Sequence, residues 1–265
     1  MTTHQLADIQ NALDTRNLPI QNVGVKQLQY PIVFKDQKIT HQTHGIFDLT
    51  VNLPAEQKGA HLSRFTSLLQ SYYERDALVM SIELMPVWHK RMINLLNAKE
   101  GSFSCSFKFF LEKKAPVSQE TSLLDYHLTL SCAGPLNDPA VSIELEVLTQ
   151  SLCPCSKAIS AYGAHNQRSV ITVSGRVSED FNIKQLIELI EHEGSAELFN
   201  LLKRVDEKYV TEHAYENPKF SEDIVRDVYH SLKKNIPSLS KLVVSSEHIE
   251  SIHSHNAYAR IHDNP

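Results

Sequence analysis

Two-residue alternation, interrupted by helix-period stretches and then repeated, most narrows the folds open to this chain. Phe47, Leu49, Val51 and Leu53 are apolar while Asp48, Thr50 and Asn52 are polar, the pattern of a half-buried strand. Phe103, Cys105, Phe107, Phe109 and Leu111 repeat it, as do Leu124, Tyr126, Leu128, Leu130 and Cys132, which predicts a neighbouring antiparallel pair. Between these early and late strands, Leu62, Phe65, Leu68 and Leu69, then Trp88, Met92, Leu95 and Leu96, fall at helical spacing. From Pro139 the order starts again. Val141, Ile143, Leu145 and Val147 alternate, and a strand is expected over 170–177. A helix through Leu186, Ile187, Leu189 and Ile190 should stop near Gly194. A second should open at Asn217-Pro218 and run through Ile224, Val225, Val228 and Leu232. Strand-like pieces at 242–249 and 256–261 close the chain. Each half thus reads strand, strand, helix, helix, strand, strand. That order predicts an α+β layer, antiparallel sheet with helices on one face, whose other face is solvated or lines an oligomeric barrel. The expected division is a leader over 1–22, a first unit over 23–135, and a second unit over 136–265 that carries most of the chemistry.

The 265 residues suffice for a good core, and 42% hydrophobic with 22% charged residues excludes disorder and fibre. A net charge of -5 argues against general nucleic-acid binding, which needs a basic surface. The N-terminus has no basic, apolar export pattern, and no apolar run approaches the ~18 residues of a membrane span. A cytoplasmic protein with no membrane partner is expected.

Chemistry concentrates in Ser151-Leu-Cys-Pro-Cys-Ser-Lys and the following Tyr162-Gly-Ala-His-Asn-Gln-Arg-Ser169. Two thiols and a histidine so close together, without an export signal, point to a metal site or an activated thiol rather than a disulfide. Pro154 makes the segment an edge or a turn. Were it extended, Cys153 and Cys155 would stand roughly 7 Å apart, too far to share a zinc at about 2.3 Å from each sulfur. Unless the chain turns sharply, one thiol is the ligand and the other stands beside it. His165 lies within loop reach of both. Cys105 and Cys132, on apolar faces, are expected as buried core thiols. The carboxylate-rich stretch from Asp206 to Asp223 is expected as a solvated loop leading into a capped helix, with Asp223 serving the helix start. Glu250, His253 and His255 suit acid/base work near neutrality.

Together these segments resemble the prokaryotic type IB GTP cyclohydrolases. The resemblance rests on the two motifs above, on Asp206-Glu-Lys-Tyr-Val-Thr-Glu, Tyr215-Glu-Asn-Pro-Lys-Phe and Glu250-Ser-Ile-His-Ser-His255, and on Leu53-Pro-Ala-Glu-Gln-Lys-Gly59 with His61, Arg64 and Ser122-Leu-Leu-Asp-Tyr126. It runs from about residue 16 to the C-terminus. Val205 and His213 depart from the pattern, where Pro and Lys would be usual. The resemblance implies the tunnelling fold (T-fold) with two tandem ββααββ units, a homotetramer with interfacial active sites, and conversion of GTP and water to formate and 7,8-dihydroneopterin 3'-triphosphate. It implies Cys153, His165 and Glu207 as ligands of one divalent metal ion, with Cys155 as the catalytic thiol. It also implies Glu222 as the purine anchor and Glu250, His253 and His255 as the acid/base cluster.

That chemistry suits these groups. Cys, His and Glu accept Zn, Mn or Fe alike. A carboxylate at Glu222 matches the two donors of guanine, N1–H and N2–H. Lys58, His61, Arg64 and Arg168 are the candidates for the triphosphate. The competing expectations are a thiol-dependent nitrile reductase of the same fold, and a metal- or nucleotide-binding module without turnover.

Overall fold

The computed structural model describes residues 9, 10, 12–37, 39–75, 77–178 and 181–263; positions 1–8 and 11 of the expected leader lie outside these. The chain forms two compact units, Met1–Phe107 with Leu130–Val141, and Lys108–Thr129 with Ser142–Pro265. The architecture is mixed α+β, with sheet strands that are mostly antiparallel.

In the first unit, β1 (Ile20–Asp36) and β2 (Ile39–Leu53) form a long antiparallel hairpin, followed by α1 (Ser63–Tyr73), a short β3 (Val79–Met80) and α2 (Met85–Leu96). β4 (Glu100–Lys114), of which the residues up to Phe107 belong to this unit, pairs with β2, setting Phe47 opposite Cys105 and Leu49 opposite Phe103; of β5 (Thr121–Pro135), the residues from Leu130 onward belong to it. The alternation buries what it predicted: Phe47, Leu49, Val51, Phe103, Cys105 and Phe107 are at most 2% exposed. Helices α1 and α2 add Phe65, Leu69, Trp88 and Met92 to this core, each such side chain contributing roughly 1.5–3 kcal/mol. Trp88 stacks on Phe103 at 5.8 Å between centroids and donates its indole N–H to the Val79 carbonyl at 3.0 Å. Cys105 and Cys132 are buried thiols, and burial pushes Cys132 up to about 11.

The second unit carries β6 (Ala140–Leu152), α3 (Pro154–Ile159), β7 (Asn166–Arg176), α4 (Ile183–His192), β8 (Ala196–Glu197), α5 (Arg204–Glu216), α6 (Ser221–Asn235), β9 (Ser240–His248) and β10 (Ala257–His262). β6 pairs with β7, β7 with β9 and β9 with β10, all antiparallel. Helix α6 packs on β9 and against α4, contributing Ile224, Val228 and Leu232 to a core shared with Leu186 and Ile190.

The buried face of this sheet changes character along its strands. Leu145, Val173 and Val244 form one cross-strand row, and Val147, Ile171 and Ser246 the next. Then come Thr149, Ser169 and His248, and finally Ser151 opposite Gln167. The apolar foundation becomes polar toward the end of β6 where the thiols begin.

Two local expectations are corrected, and one open alternative is decided. The segment after Asp206 is not a solvated loop but helix α5. Its sparse apolar content hid it, and it is held by an Asp206 cap and a Lys208–Glu212 pair at 2.6 Å. Asn217 therefore ends α5 instead of opening α6, which begins at Ser221 with Asp223 accepting from the Phe220 amide at 3.0 Å. The thiol segment takes the turn that Pro154 allowed, not the extended form. Cys153 caps α3 and Pro154 occupies its first turn, where Pro costs no hydrogen bond.

Candidate active site

The end of the β6–β7 ladder brings the first two candidate ligands together. Beyond the Leu152–Asn166 pair, the Cys153 amide donates to the His165 carbonyl at 3.1 Å. Ser156 ties the turn: its amide approaches the Cys153 Sγ at 3.4 Å, its hydroxyl donates to the Cys153 carbonyl at 3.2 Å, and it receives the His165 amide at 3.2 Å. Gly163 permits the return of the chain with φ of 117°, a value that L side chains rarely adopt. Cys153 is half-buried and Cys155, in the first turn of α3, is exposed. Residues two apart at a helix start do not face one another, so the turn sets the two thiols in different surroundings.

Behind His165 stands a polar chain. Its Nδ1 lies 3.1 Å from Gln167 Oε1, Gln167 Nε2 lies 2.8 Å from Ser151 Oγ, and Ser151 Oγ lies 3.3 Å from His248 Nδ1. Glu250 Oε2 is 4.0 Å from His165 Nδ1, buried and without a hydrogen-bond partner among the described residues. His248 Nε2 is likewise buried and unpartnered among them. Burial lowers the His248 pKa, opposed by the charges of Glu250 and Glu222. Glu222 stands exposed in the first turn of α6. Its own backbone amide and the Ser221 hydroxyl, at 3.0 Å, hold its carboxyl below the usual range. His253 and His255 follow in the exposed segment between β9 and β10, rings stacked at 5.2 Å.

Other candidates lie elsewhere. Glu207 is exposed on the first turn of α5, beside the buried Asp206. Burial alone would raise the Asp206 pKa, but hydrogen bonds from Ser118, Lys203 and Val117 outweigh it and hold the carboxylate far below its usual range. The other end of α5 meets the thiol turn, where Lys157 donates to the Tyr215 carbonyl. Tyr215 lies roughly 12 Å beyond Glu207, at about 1.5 Å of helix rise per residue. Among the described residues no three His, Cys, Asp or Glu side chains stand together to hold a metal. Arg168 is exposed on the opposite face of β7 from Gln167. Lys58, His61 and Arg64 lie in the first unit, on the segment entering α1, with Arg64 reaching the Leu95 carbonyl at 3.4 Å.

Ser151, Gln167 and His248 were not among the sequence candidates. A partial signal was available: they lie at the polar ends of three strands whose inward positions begin apolar, at Leu145, Val173 and Val244.

The family model for type I GTP cyclohydrolase folE2 matches residues 6–259. A "GTP cyclohydrolase FolE2" of Bordetella pertussis is 47% identical over 96% of this chain and 95% of its own length. One from Neisseria gonorrhoeae is 47% identical over 97% of this chain and 98% of its own. The chain belongs to the type I GTP cyclohydrolase folE2 family. Among solved structures, uricase from Arthrobacter globiformis superposes with a TM-score of 0.52 at 7% identity, covering 92% of this chain and 93% of that one. Urate oxidase from Bacillus subtilis 168 gives 0.51 at 9% identity, covering 92% and 97%. At such identities the likeness concerns the fold alone, and it agrees with a tunnelling-type α+β architecture for this folE2-family chain.

Proposed function

We infer that this chain is a metal-dependent GTP cyclohydrolase, converting GTP and water to formate and 7,8-dihydroneopterin 3'-triphosphate. The observation that carries the reading is the pairing of Cys153 with His165 at a ladder end. Gln167 occupies the His165 Nδ1, so the other ring nitrogen is free for a ligand. A soft sulfur beside an imidazole fits a divalent ion such as Zn, Mn or Fe. When bound, that ion would polarise water, lowering its pKa from ~15.7 to about 7, so that hydroxide is available near neutrality.

This chain's own groups do the rest. Glu222, held ionised at the start of α6, accepts N1–H and N2–H of guanine and orients the purine. Water adds at C8 and the C8–N9 bond breaks, N9 taking up a proton, which leaves a formamide on N7. A second water attacks the formyl carbon, Glu250, His253 and His255 take the protons it gives up, and Cys155 supplies the proton taken up at N7 as the C8–N7 bond breaks and formate leaves; closure of the pterin ring returns one water, so one is consumed overall. Lys58, His61, Arg64 and Arg168 are the groups proposed for the triphosphate.

Glu207 completes the ligand set from a neighbouring copy of the chain. Supporting this, Glu207 is exposed, and about 12 Å of helix rise separates it from the end of α5 that meets its own thiol turn. The proposed assembly is accordingly a homotetramer of chains with two tandem ββααββ units each, with active sites at subunit interfaces and the cytoplasm as its setting. The test is incubation of metal-loaded protein with GTP, following formate and a fluorescent pterin. Cys153→Ala should lose metal and turnover, while Cys155→Ala keeps metal and loses turnover. Equal metal loss in both would overturn the division between the thiols.

A further inference from the structure

The hydrogen bonds behind His165 link it to a second imidazole. A glutamine Oε1 only accepts, so His165 Nδ1, 3.1 Å away, carries the hydrogen. At the other end of the amide, Gln167 Nε2 donates to Ser151 Oγ at 2.8 Å. Ser151 keeps its own hydrogen, and His248 Nδ1 lies 3.3 Å from its Oγ. In the tautomer in which Ser151 donates to His248 Nδ1, the neutral ring carries its hydrogen on Nε2. His248 is 2% exposed, and this Nε2 finds no partner among the described residues. A buried N–H aimed by a chain of three side chains, yet donating to nothing, is a group waiting for an acceptor.

Its position names the acceptor. His248 ends β9, the strand on which α6 packs, and Glu222 stands in the first turn of α6. The charges of Glu222 and Glu250 both act on this ring. Guanine presents N2–H, N1–H and the O6 acceptor consecutively along one edge, so a carboxylate that takes the two donors leaves O6 needing a donor of its own. We propose that His248 is a specificity-determining residue that donates its Nε2–H to the 6-oxo group of guanine, next to Glu222. The proposal rests on the reading of Glu222 as the purine anchor. In it Gln167 is a positioning residue for both ends of the site, holding a metal ligand in one tautomer and a base reader in the complementary one.

The experiment measures dissociation constants of the metal-loaded enzyme for GTP, 6-thio-GTP and ITP. Replacing O6 by sulfur weakens the acceptor while keeping N1–H and N2–H, whereas ITP keeps O6 and lacks the 2-amino group. Wild type should prefer GTP over both, by about tenfold or more. His248→Leu should bring the 6-thio-GTP to GTP ratio close to one, keep the ITP to GTP ratio, and leave metal content unchanged. His248→Gln, which retains a donor amide, should restore part of the first ratio. Ser151→Ala, which frees the tautomer, should reduce that ratio without removing the ring, giving a second route should the leucine variant not fold. A 6-thio-GTP ratio unchanged in both His248→Leu and Ser151→Ala overturns the proposal. Failure of the Glu222 reading has a different signature: Glu222→Gln would leave the ITP ratio intact, whatever His248→Leu does to the sulfur ratio.

Discussion

A glutamine amide carries one acceptor and two donor hydrogens on the same plane, and at position 167 both ends are engaged at once. No other uncharged side chain of that length serves a histidine nitrogen and a serine hydroxyl simultaneously. Orientation of a ligand imidazole by such a partner is typically worth 10- to 100-fold, approximately, in metal affinity. Gln167→Ala should accordingly weaken metal binding by about that factor, read by competition with a chromogenic chelator. An unchanged affinity would mean that Gln167 does not orient the ring, leaving that to Ser251 at 3.5 Å and Glu250 at 4.0 Å from the same nitrogen. The same neighbourhood contains polar atoms with no hydrogen-bond partner among the described residues: His248 Nε2, Glu250 Oε2, and the hydroxyls of Thr149, Ser169 and Ser246. Each buried atom of this kind costs about 1–3 kcal/mol, a local violation of good folding that natural proteins keep at functional sites.

At the scale of elements, Asp206 is the latch between α5 and the turn before β5. It receives amide hydrogens from Val117, Ser118 and Lys203 at 2.8, 2.8 and 2.9 Å. Its native pKa lies far below the unfolded value of about 3.9. The sign follows: the carboxylate adds stability above the unfolded pKa and loses it as pH falls through the native one. Asp206→Asn should therefore melt below wild type at neutral pH, and the gap should close only in strong acid. Thermal melts across pH check this, and a gap that widens with acid would contradict it. This latch also shows why the sequence spoke unevenly. Phe47, Leu49, Phe103 and Leu145 announce strands because burial enforces their period, whereas α5 buries only Asp206 and Ala214 and leaves almost no apolar trace. Cys153, His165 and Glu250 were legible as candidates because their residue types are rare at such spacing. His248 and Gln167 were not, since their meaning depends on which strands become neighbours. Asn217-Pro218 misled because the same dipeptide that opens a helix also follows the end of one.

At the scale of the assembled molecule, a site that draws Glu207 from a neighbouring copy makes a distinctive demand. Cys153→Ala chains and Glu207→Ala chains should each be inactive alone. Unfolded and refolded together, they should recover part of the formate production, because some interfaces then pair an intact Cys153 and His165 with an intact Glu207. No recovery in verified mixed oligomers would place all three ligands on one chain. Within each chain, the Cys153 amide and His165 carbonyl form the rung that follows the last β6–β7 pair. A slip of one residue in that ladder would turn Arg168 inward and Gln167 outward. The two proposed ligands on one chain are thus inherited from strand register, and a chain whose hairpin has zipped lacks only the carboxylate that the proposed assembly brings. Metal uptake would then be capture by a receptor already folded, and a chelator should leave behind a protein that is silent but still folded.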